Sequence, residues 1–242
     1  MFLLIICGFT ACEDKLDTDP TDKVSGTIIF EDETAAQTAL DGIAYLMYQG
    51  YYVTYNVNHA GGYQSSILAQ ELMGDDMITT NPNNWYGMDY TLFYTSNVGR
   101  SQTDDGSRSY NVWNMMYTII SNANYIIAQD GNLGQNGTEA KNILAQAYAI
   151  RAFSYFELIQ TFQKTYKGNE NAPGVPVYTE PTRAGDEGKP RGTVADVYTQ
   201  INADMTRAMT LYEESGKQVQ THPSHMDYYV AKGIEAKIAS TR

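Results

Sequence analysis

Residues 142–162 carry the hydrophobic pattern around which the rest of the chain is organised. One apolar stripe recurs there at helical spacing, formed by Leu144, Tyr148, Tyr155, Leu158 and Phe162. A second stripe lies beside it, formed by Ala145, Ala149, Ala152, Phe156 and Ile159. A helix that is apolar around most of its circumference is covered by protein on several sides. The pattern therefore predicts a central helix that begins near Thr138 and ends at Phe162.

Four further helices follow from the same periodicity and from end signals. The first is predicted near 34–49, with Asp32 or Thr34 as N-cap and Gly50 as the end. The others are predicted at 110–129, at 194–212 with Thr193 as N-cap, and from Ser224 to the end of the chain. Residues 65–73 form a shorter apolar segment. Residues 131–137 form a short turn between two long helices, which predicts a helical hairpin over 110–162. A second hairpin is predicted over 194–242.

Two long segments lack this periodicity. Residues 79–108 are rich in Asn, Gly, Asp and aromatic side chains, and a long loop of this composition is typical of a contact surface rather than of a disordered linker. Residues 163–193 are rich in Gly and Pro, and the prolines favour an extended course over 172–181.

Composition narrows the classes of function. The 242 residues are 43% hydrophobic and only 18% charged, which indicates a folded chain with a substantial core. The formal charge of −12 argues against nucleic acid as a partner. The 20 tyrosines supply flat apolar faces with a polar tip, which suits uncharged polar ligands. Both cysteines lie within the first twelve residues, so no cysteine-based zinc site or disulfide framework is expected in the folded part.

The first residues resemble a bacterial lipoprotein leader. Residues 1–11 are uncharged and apolar like the core of a signal peptide, and Phe9-Thr10-Ala11-Cys12 resembles a lipobox in which Cys12 is lipidated. The acidic residues after it resemble the signal that sends lipoproteins of Bacteroidetes to the outer face of the outer membrane. An ordinary secretion signal with an incidental cysteine is the alternative. Residues 13–26 are interpreted as a polar tether.

A series of motifs in order along the chain resembles the SusD/RagB family of outer-membrane nutrient-binding lipoproteins. The motifs are ALDGIAY at 39–45, ELMGDD at 71–76, NANY at 122–125, RAFSYFEL at 151–158, GVPV at 174–177, and RGTV at 191–194 followed by VY at 197–198 and INAD at 201–204. Members of the family are longer than this chain, and the last predicted helix still continues where the sequence stops. The resemblance therefore implies that residues 27–242 are the N-terminal portion of a SusD-like domain.

The resemblance implies a fold, a function and a location. The fold is mostly α-helical, with tetratricopeptide-like helical hairpins and an irregular, loop-rich region that presents the ligand surface. The function is non-enzymatic, without cofactor, metal or catalytic residue: the protein binds glycan and delivers it to a SusC-like TonB-dependent porin. The expected location is the outer membrane, where a lipid anchor on Cys12 holds the protein, facing the cell exterior.

Candidate ligand-binding residues come from the chemistry of one loop and not from the family motifs, which do not reach it. Sugar recognition needs aromatic faces for the apolar side of the ring and planar polar groups for the hydroxyls. The loop supplies both types in Asn83, Asn84, Trp85, Tyr86, Asp89, Tyr90 and Tyr94. Trp85 is the predicted stacking platform. Trp113 lies at a helical position and is predicted to belong to the core. Arg151 is predicted to pair with a carboxylate or with helix ends, and not to contact the ligand.

Other chemistries are weaker alternatives. Glu71, Asp75 and Asp76 could offer oxygen ligands to Ca²⁺ but lack a regular loop spacing, and His222 and His225 lack a third zinc ligand. A glycoside hydrolase would need two acids in one cleft, and the sequence singles out no such pair. A peptide-binding or other nutrient-binding protein on a helical-repeat scaffold remains the main rival.

Overall fold

A computed structural model describes residues 33–49, 61–74, 77–78, 80, 108–133, 137–183, 185–219 and 222–242. These residues form seven helices: α1 (Glu33–Gln49), α2 (Tyr63–Met73), α3 (Arg108–Ile127), α4 (Asp130–Leu133), α5 (Thr138–Phe162), α6 (Val194–Ser215) and α7 (Tyr228–Ser240). Within these ranges the one β feature is an isolated bridge between Pro173 and Thr193. The predicted mostly α-helical fold is confirmed.

Helix α5 lies at the centre of the fold, as its two apolar stripes predict. It packs most extensively against α6 and α3, and it also contacts α1, α4 and α7. Ala145, Ala149 and Ala152 are completely buried, and such small side chains let neighbouring helices approach closely. The large buried side chains of the core include Tyr155, Phe156 and Leu158 from the same helix. Burial on all sides explains why the apolar pattern of α5 leaves so little polar circumference.

Local end signals fix where α6 begins and ends. The Thr193 hydroxyl accepts a hydrogen bond from the Asp196 backbone amide, and the Asp196 carboxylate accepts one from the Thr193 amide. This reciprocal capping box satisfies two amides that the first helical turn leaves without partners. Gly216 ends the helix in the left-handed conformation, at a φ of 67°. The prediction of Thr193 as N-cap is confirmed.

The last helix begins later than predicted. Helix α7 starts at Tyr228, and the Asp227 carboxylate caps it by accepting a hydrogen bond from the Val230 amide at 2.8 Å. Ser224 instead belongs to a turn in which its hydroxyl and amide both contact His222 Nδ1. The prediction of a helix from Ser224 is therefore wrong, because this turn uses the groups that a cap would need. The short helix α4 lies where only a turn was predicted.

The described helices include none long and apolar enough to cross a lipid bilayer. Helix α5 has the length, but Arg151 and Glu157 lie within it.

Helix α2 contacts α5 through Tyr63, which packs on Phe153 and bonds to the buried Glu157 carboxyl group. The Tyr63 and Phe153 rings meet edge to face at 5.2 Å, and the Tyr63 hydroxyl bonds to Glu157, which is only 4% exposed. Among the described residues, Glu157 Oε1 has no hydrogen-bond partner, and Lys237 Nζ lies 3.8 Å from it. Burial raises the pKa of the Glu157 carboxyl, and Lys237 and Tyr63 offset only part of that rise.

This carboxyl makes a testable contribution to stability. The native state holds the Glu157 proton to higher pH than the unfolded chain does, so the free energy of unfolding must fall as pH rises from about 4.5 through the raised pKa. We expect Glu157→Gln to remove this contribution, so that the variant gains stability relative to the natural protein as pH increases. Urea unfolding at a series of pH values measures the difference. The exposed Glu213→Gln variant is the control, and parallel curves for all three proteins would contradict the assignment.

Candidate ligand-binding groove

Residues 172–192 form a loop whose two ends meet, and we call this loop the strap. Pro173 and Thr193 pair in the isolated antiparallel bridge at its base. The Gly174 amide donates a hydrogen bond to the Gly192 carbonyl at 2.6 Å, next to that bridge. The strap thus begins after α5 and ends at the start of α6. Its middle part lies against α3.

Side chains of α3 hold the strap by its backbone carbonyl groups. Three of them donate at 2.8–3.1 Å: Tyr117 to the Pro176 carbonyl, Asn124 to those of Tyr178 and Glu180, and Tyr125 to that of Thr182. The Ser121 and Thr182 hydroxyls add a contact at 3.2 Å. Because carbonyl groups of an extended segment find no partners within it, these donors replace the hydrogen bonds of a regular element.

A buried arginine joins the strap to two helices. Arg151 of α5 makes a two-pronged contact with Asp204 of α6, at 2.8 Å from Nε and 2.5 Å from Nη2. Its Nη1 donates to Asn124 Oδ1 at 2.7 Å and to the Thr179 carbonyl at 3.2 Å. Both side chains of the ion pair are at least 96% buried, at 4% and 2% exposure, and Gln200 also donates to Asp204. Of the two partners predicted for Arg151, a carboxylate or helix ends, the structure shows the carboxylate.

Tyr155 fixes the middle of the strap. Its hydroxyl donates to the Tyr178 carbonyl at 2.8 Å and accepts from the Tyr178 amide at 2.7 Å. Tyr155 is fully buried, so this double contact is shielded from water. Both hydrogen-bonding groups of the Tyr178 backbone are therefore held by one side chain, which fixes the position of the Tyr178 Cα atom from which its ring extends.

Between the strap and α3 lies a groove of about 260 Å³. Its lining combines aromatic, hydroxyl and charged side chains, contributed by Trp113, Tyr117, Ile120, Ser121 and Asn124 of α3 and by Pro176, Tyr178, Thr182, Arg183, Asp186, Glu187 and Gly188 of the strap. This volume lies just below the usual range for small-ligand pockets. The mixture of aromatic faces and polar groups is the one that sugar rings require.

The aromatic wall of the groove is held by ring contacts, two of them edge to face and one tilted. Trp113 packs against Phe162 at 5.0 Å between ring centroids and against Tyr117 at 4.7 Å, and Tyr117 meets Tyr178 at 5.9 Å. Trp113 is only partly buried, and it both packs on the core and lines the groove. The core prediction for Trp113 is therefore incomplete, because its helix face lies at the edge of the core and not inside it.

The polar rim of the groove comes from the strap. The Asp186 carboxylate accepts a hydrogen bond from the Arg183 backbone amide, which closes a turn. The Arg183 and Glu187 side chains are exposed, and among the described residues neither forms an ion pair or a side-chain hydrogen bond. Lys189 lies with its ammonium group 5.4 Å from the centre of the Tyr178 ring. The lining thus carries one cation, Arg183, and two carboxylates, Asp186 and Glu187, while Lys189 lies beside Tyr178.

The seven predicted ligand residues of the loop lie outside the described residues, as does Cys12. These are Asn83, Asn84, Trp85, Tyr86, Asp89, Tyr90 and Tyr94. Their roles stay predictions. The tether at 13–26 and the predicted Ca²⁺ ligands Asp75 and Asp76 also lie outside the described residues, while Glu71 is an exposed residue of α2.

The two histidines of the candidate zinc motif, His222 and His225, have defined partners. His222 bonds to Ser224, and His225 Nε2 lies 2.8 Å from Asp41 Oδ1 on α1. In the part of the chain that the structure describes, no group of three or more His, Cys, Asp or Glu side chains is placed to hold a metal ion.

Sequence reasoning did not identify the strap as part of a site. Tyr178, Arg183 and Glu187 line the groove, but the sequence suggested only an extended insertion over 163–193. One signal was present: an aromatic residue between prolines, followed by a Gly-rich stretch with charges of both signs, is typical of an ordered surface loop. The sequence alone does not indicate that this loop faces α3.

Comparison with known proteins identifies a matching family and a related curated protein. A SusD-like family described as "Starch-binding associating with outer membrane" matches residues 28–231, which is well over half of the chain. A curated relative, SusD-like protein P38 of Formosa agariphila, is 28% identical over 113 residues, which are 46% of this chain and 20% of that protein.

Solved structures share the fold. A SusD-like carbohydrate binding protein from Bacteroides vulgatus superposes with a TM-score of 0.71 at 23% identity, covering 86% of this chain and 41% of that one. Surface glycan-binding protein A from Bacteroides fluxus superposes with a TM-score of 0.56 at 16% identity, covering 86% and 40%. The chain thus spans about two fifths of these structures and one fifth of the curated relative.

Proposed function

The chain belongs to the SusD-like family, and from this premise we propose that the protein binds glycan at the cell surface and delivers it to a TonB-dependent outer-membrane transporter. The observation that carries the proposal is the family match over residues 28–231, whose description names starch binding and the outer membrane. The names of two structural neighbours, a carbohydrate binding protein and a surface glycan-binding protein, point the same way.

The proposed ligand surface includes the loop that holds Trp85. An indole face can cover the apolar side of a sugar ring, while the amides of Asn83 and Asn84 and the carboxylate of Asp89 can bond its hydroxyls. Tyr86, Tyr90 and Tyr94 extend the aromatic surface. The role of these residues is supported by their chemistry and their spacing in the sequence.

The proposed function is binding without turnover. Glycoside hydrolysis needs a carboxylic acid whose environment raises its pKa, facing a second carboxylate across the bond that breaks. At the described groove, Asp186 and Glu187 are adjacent on one exposed segment, and neither has the buried setting of a general acid. This arrangement suits hydroxyl recognition and not bond cleavage.

The proposed anchor of the protein is a lipid on Cys12. A lipid on Cys12, followed by the polar tether at 13–26, would keep the domain at the outer membrane without a spanning helix. From the outer face it would hold glycan beside a SusC-like TonB-dependent porin, the proposed recipient.

The experiment that tests the function uses the full-length protein without residues 1–12. Calorimetry against a panel of plant, host and microbial polysaccharides should give saturable binding to at least one of them. Reducing-sugar release in the same samples should stay at the level of the buffer. Sugar release would overturn the non-enzymatic assignment, and binding of peptides with no binding of any polysaccharide would favour the peptide-binding alternative.

Replacing Trp85 with alanine is expected to weaken glycan binding at least about tenfold, because it removes the largest stacking face of the loop. Calorimetry with the best ligand of the panel measures the change. The control is Tyr229→Ala, which removes an aromatic side chain that is 59% exposed on α7 and should leave affinity unchanged. Equal loss in both variants, or loss in the control alone, would place the ligand on the helical faces.

A further inference from the structure

The aromatic rings that line the groove between the strap and α3 are held in place by their neighbours, as in a preorganised binding site. The Trp113 ring contacts Tyr117 at 4.7 Å and Phe162 at 5.0 Å between centroids, and its interplanar angle with Phe162 is 89°. Tyr178 contacts Tyr117 at 5.9 Å, with the two ring planes at 90°. A ring held at its edge by a neighbour keeps one orientation. Binding of a ligand therefore costs little side-chain conformational entropy at this site.

The hydroxyl group of each of the two tyrosines already makes one hydrogen bond. Tyr117 donates to the Pro176 carbonyl at 2.8 Å, and the Tyr178 hydroxyl accepts from the Lys189 amide at 3.0 Å. These bonds anchor the tips of the two rings, and Lys189 Nζ lies over the Tyr178 ring, 5.4 Å from its centre. The parts of both rings that line the groove are therefore offered to a ligand mainly through their carbon atoms. The wall of the groove is therefore suited to the C–H face of a saturated ring.

Polar groups with unused capacity lie on the opposite rim. The guanidinium of Arg183 offers several donors in one plane, and the carboxylate of Glu187 accepts on two oxygens. Neither side chain has an ion pair or hydrogen bond among the described residues. A donor group and an acceptor group beside an aromatic wall match the vicinal hydroxyls of a sugar, which both donate and accept.

The charges at the rim restrict the ligand further. The lining carries one cation, Arg183, and two carboxylates, Asp186 and Glu187, and the formal charge of the chain is −12. A site for sulfated or uronic sugars needs an excess of cations to replace the water around the anion. The lining of this groove does not supply that excess.

We propose that this groove is a subsite for one uncharged sugar ring of the glycan, which packs on Trp113 and Tyr178 and bonds through its hydroxyls to Arg183 and Glu187. The inference rests on the proposed glycan binding and deepens it, since it adds a contact region away from the Trp85 loop and names neutral glycans as the ligand class. The volume of about 260 Å³ fits a single ring better than a longer chain segment.

The test uses the full-length protein labelled with fluorotryptophan, with the Trp113 resonance assigned from its loss in a Trp113→Phe variant. A neutral oligosaccharide that calorimetry shows to bind should shift this resonance along the same saturation curve. Arg183→Ala and Glu187→Gln should each weaken that binding about three- to tenfold, the loss of one or two hydrogen bonds. Both residues are exposed, so folding should be unaffected, and Glu213→Gln is the matched control.

The outcomes separate the subsite from the general function. Binding of a neutral glycan with no shift of the Trp113 resonance and no effect of the two variants overturns the subsite and leaves glycan binding standing. Preferred binding of sulfated or uronic polysaccharides overturns the neutral ligand class. No binding of any polysaccharide by the natural protein overturns both proposals.

Discussion

Replacing Arg151 with methionine in the full-length protein is expected to lower the free energy of unfolding by about 3–5 kcal/mol. Methionine fills a similar volume but leaves the Asp204 carboxylate, only 2% exposed, with Gln200 as its remaining side-chain donor. The Asn124 amide oxygen and the Thr179 carbonyl lose their Arg151 donor as well. A buried charge without its counter-ion costs far more than the ion pair itself contributes.

Urea unfolding of the natural and variant proteins measures this loss. Arg207→Met is the matched control, because Arg207 also contacts an aspartate through two nitrogens but is 40% exposed, and its loss should cost less than about 1 kcal/mol. The double variant Arg151→Met with Asp204→Leu should be more stable than the single variant, since it removes the unpaired charge. Equal unfolding midpoints for the Arg151 and Arg207 variants would contradict the role of burial.

Alanine at Gly174 is expected to destabilise the protein by about 3 kcal/mol through overpacking at the base of the strap. A Cβ atom on Gly174 would lie 2.5 Å from the Thr193 carbonyl oxygen and 2.9 Å from Val197 Cγ2. Backbone and a buried β-branched side chain cannot move aside cheaply. The strap must therefore part from the start of α6, which also loosens the groove.

Gly188→Ala in the same strap provides the comparison. Its Cβ would meet no atom closer than the Tyr178 hydroxyl at 3.9 Å, an ordinary contact. The free energy of unfolding of this variant should stay within about 0.5 kcal/mol of the value for the natural protein. If the two glycine variants unfold at the same urea concentration, the close contact at Gly174 does not limit stability.

The helices were predictable where local chemistry decides them. The double apolar stripe of 142–162 defined α5, and Thr193 three residues before Asp196 defined the start of α6. Ser224 and Asp227 are both suitable caps, and the sequence does not show that His222 engages Ser224. The wrong start of α7 thus came from a side-chain contact that competes with capping.

The groove was not predictable for a different reason. It depends on contacts between residues more than fifty positions apart, such as Tyr117 with Pro176 and Tyr125 with Thr182. The acceptors in these contacts are backbone carbonyls, which leave no pattern in the sequence. The motif residues Asn124, Arg151 and Tyr155 were visible, but their task of holding the strap emerges only from the structure.

Recognition of the strap through its main chain has an evolutionary consequence. Every amino acid supplies the carbonyl groups that Tyr117, Asn124 and Arg151 bind, so the path of the strap does not depend on its own side chains at most positions. Its ends meet at one bridge, so insertions between them need not displace α5 or α6. Side chains of the strap that line the groove could therefore be exchanged without loss of the main-chain contacts that hold the strap to α3 and α5.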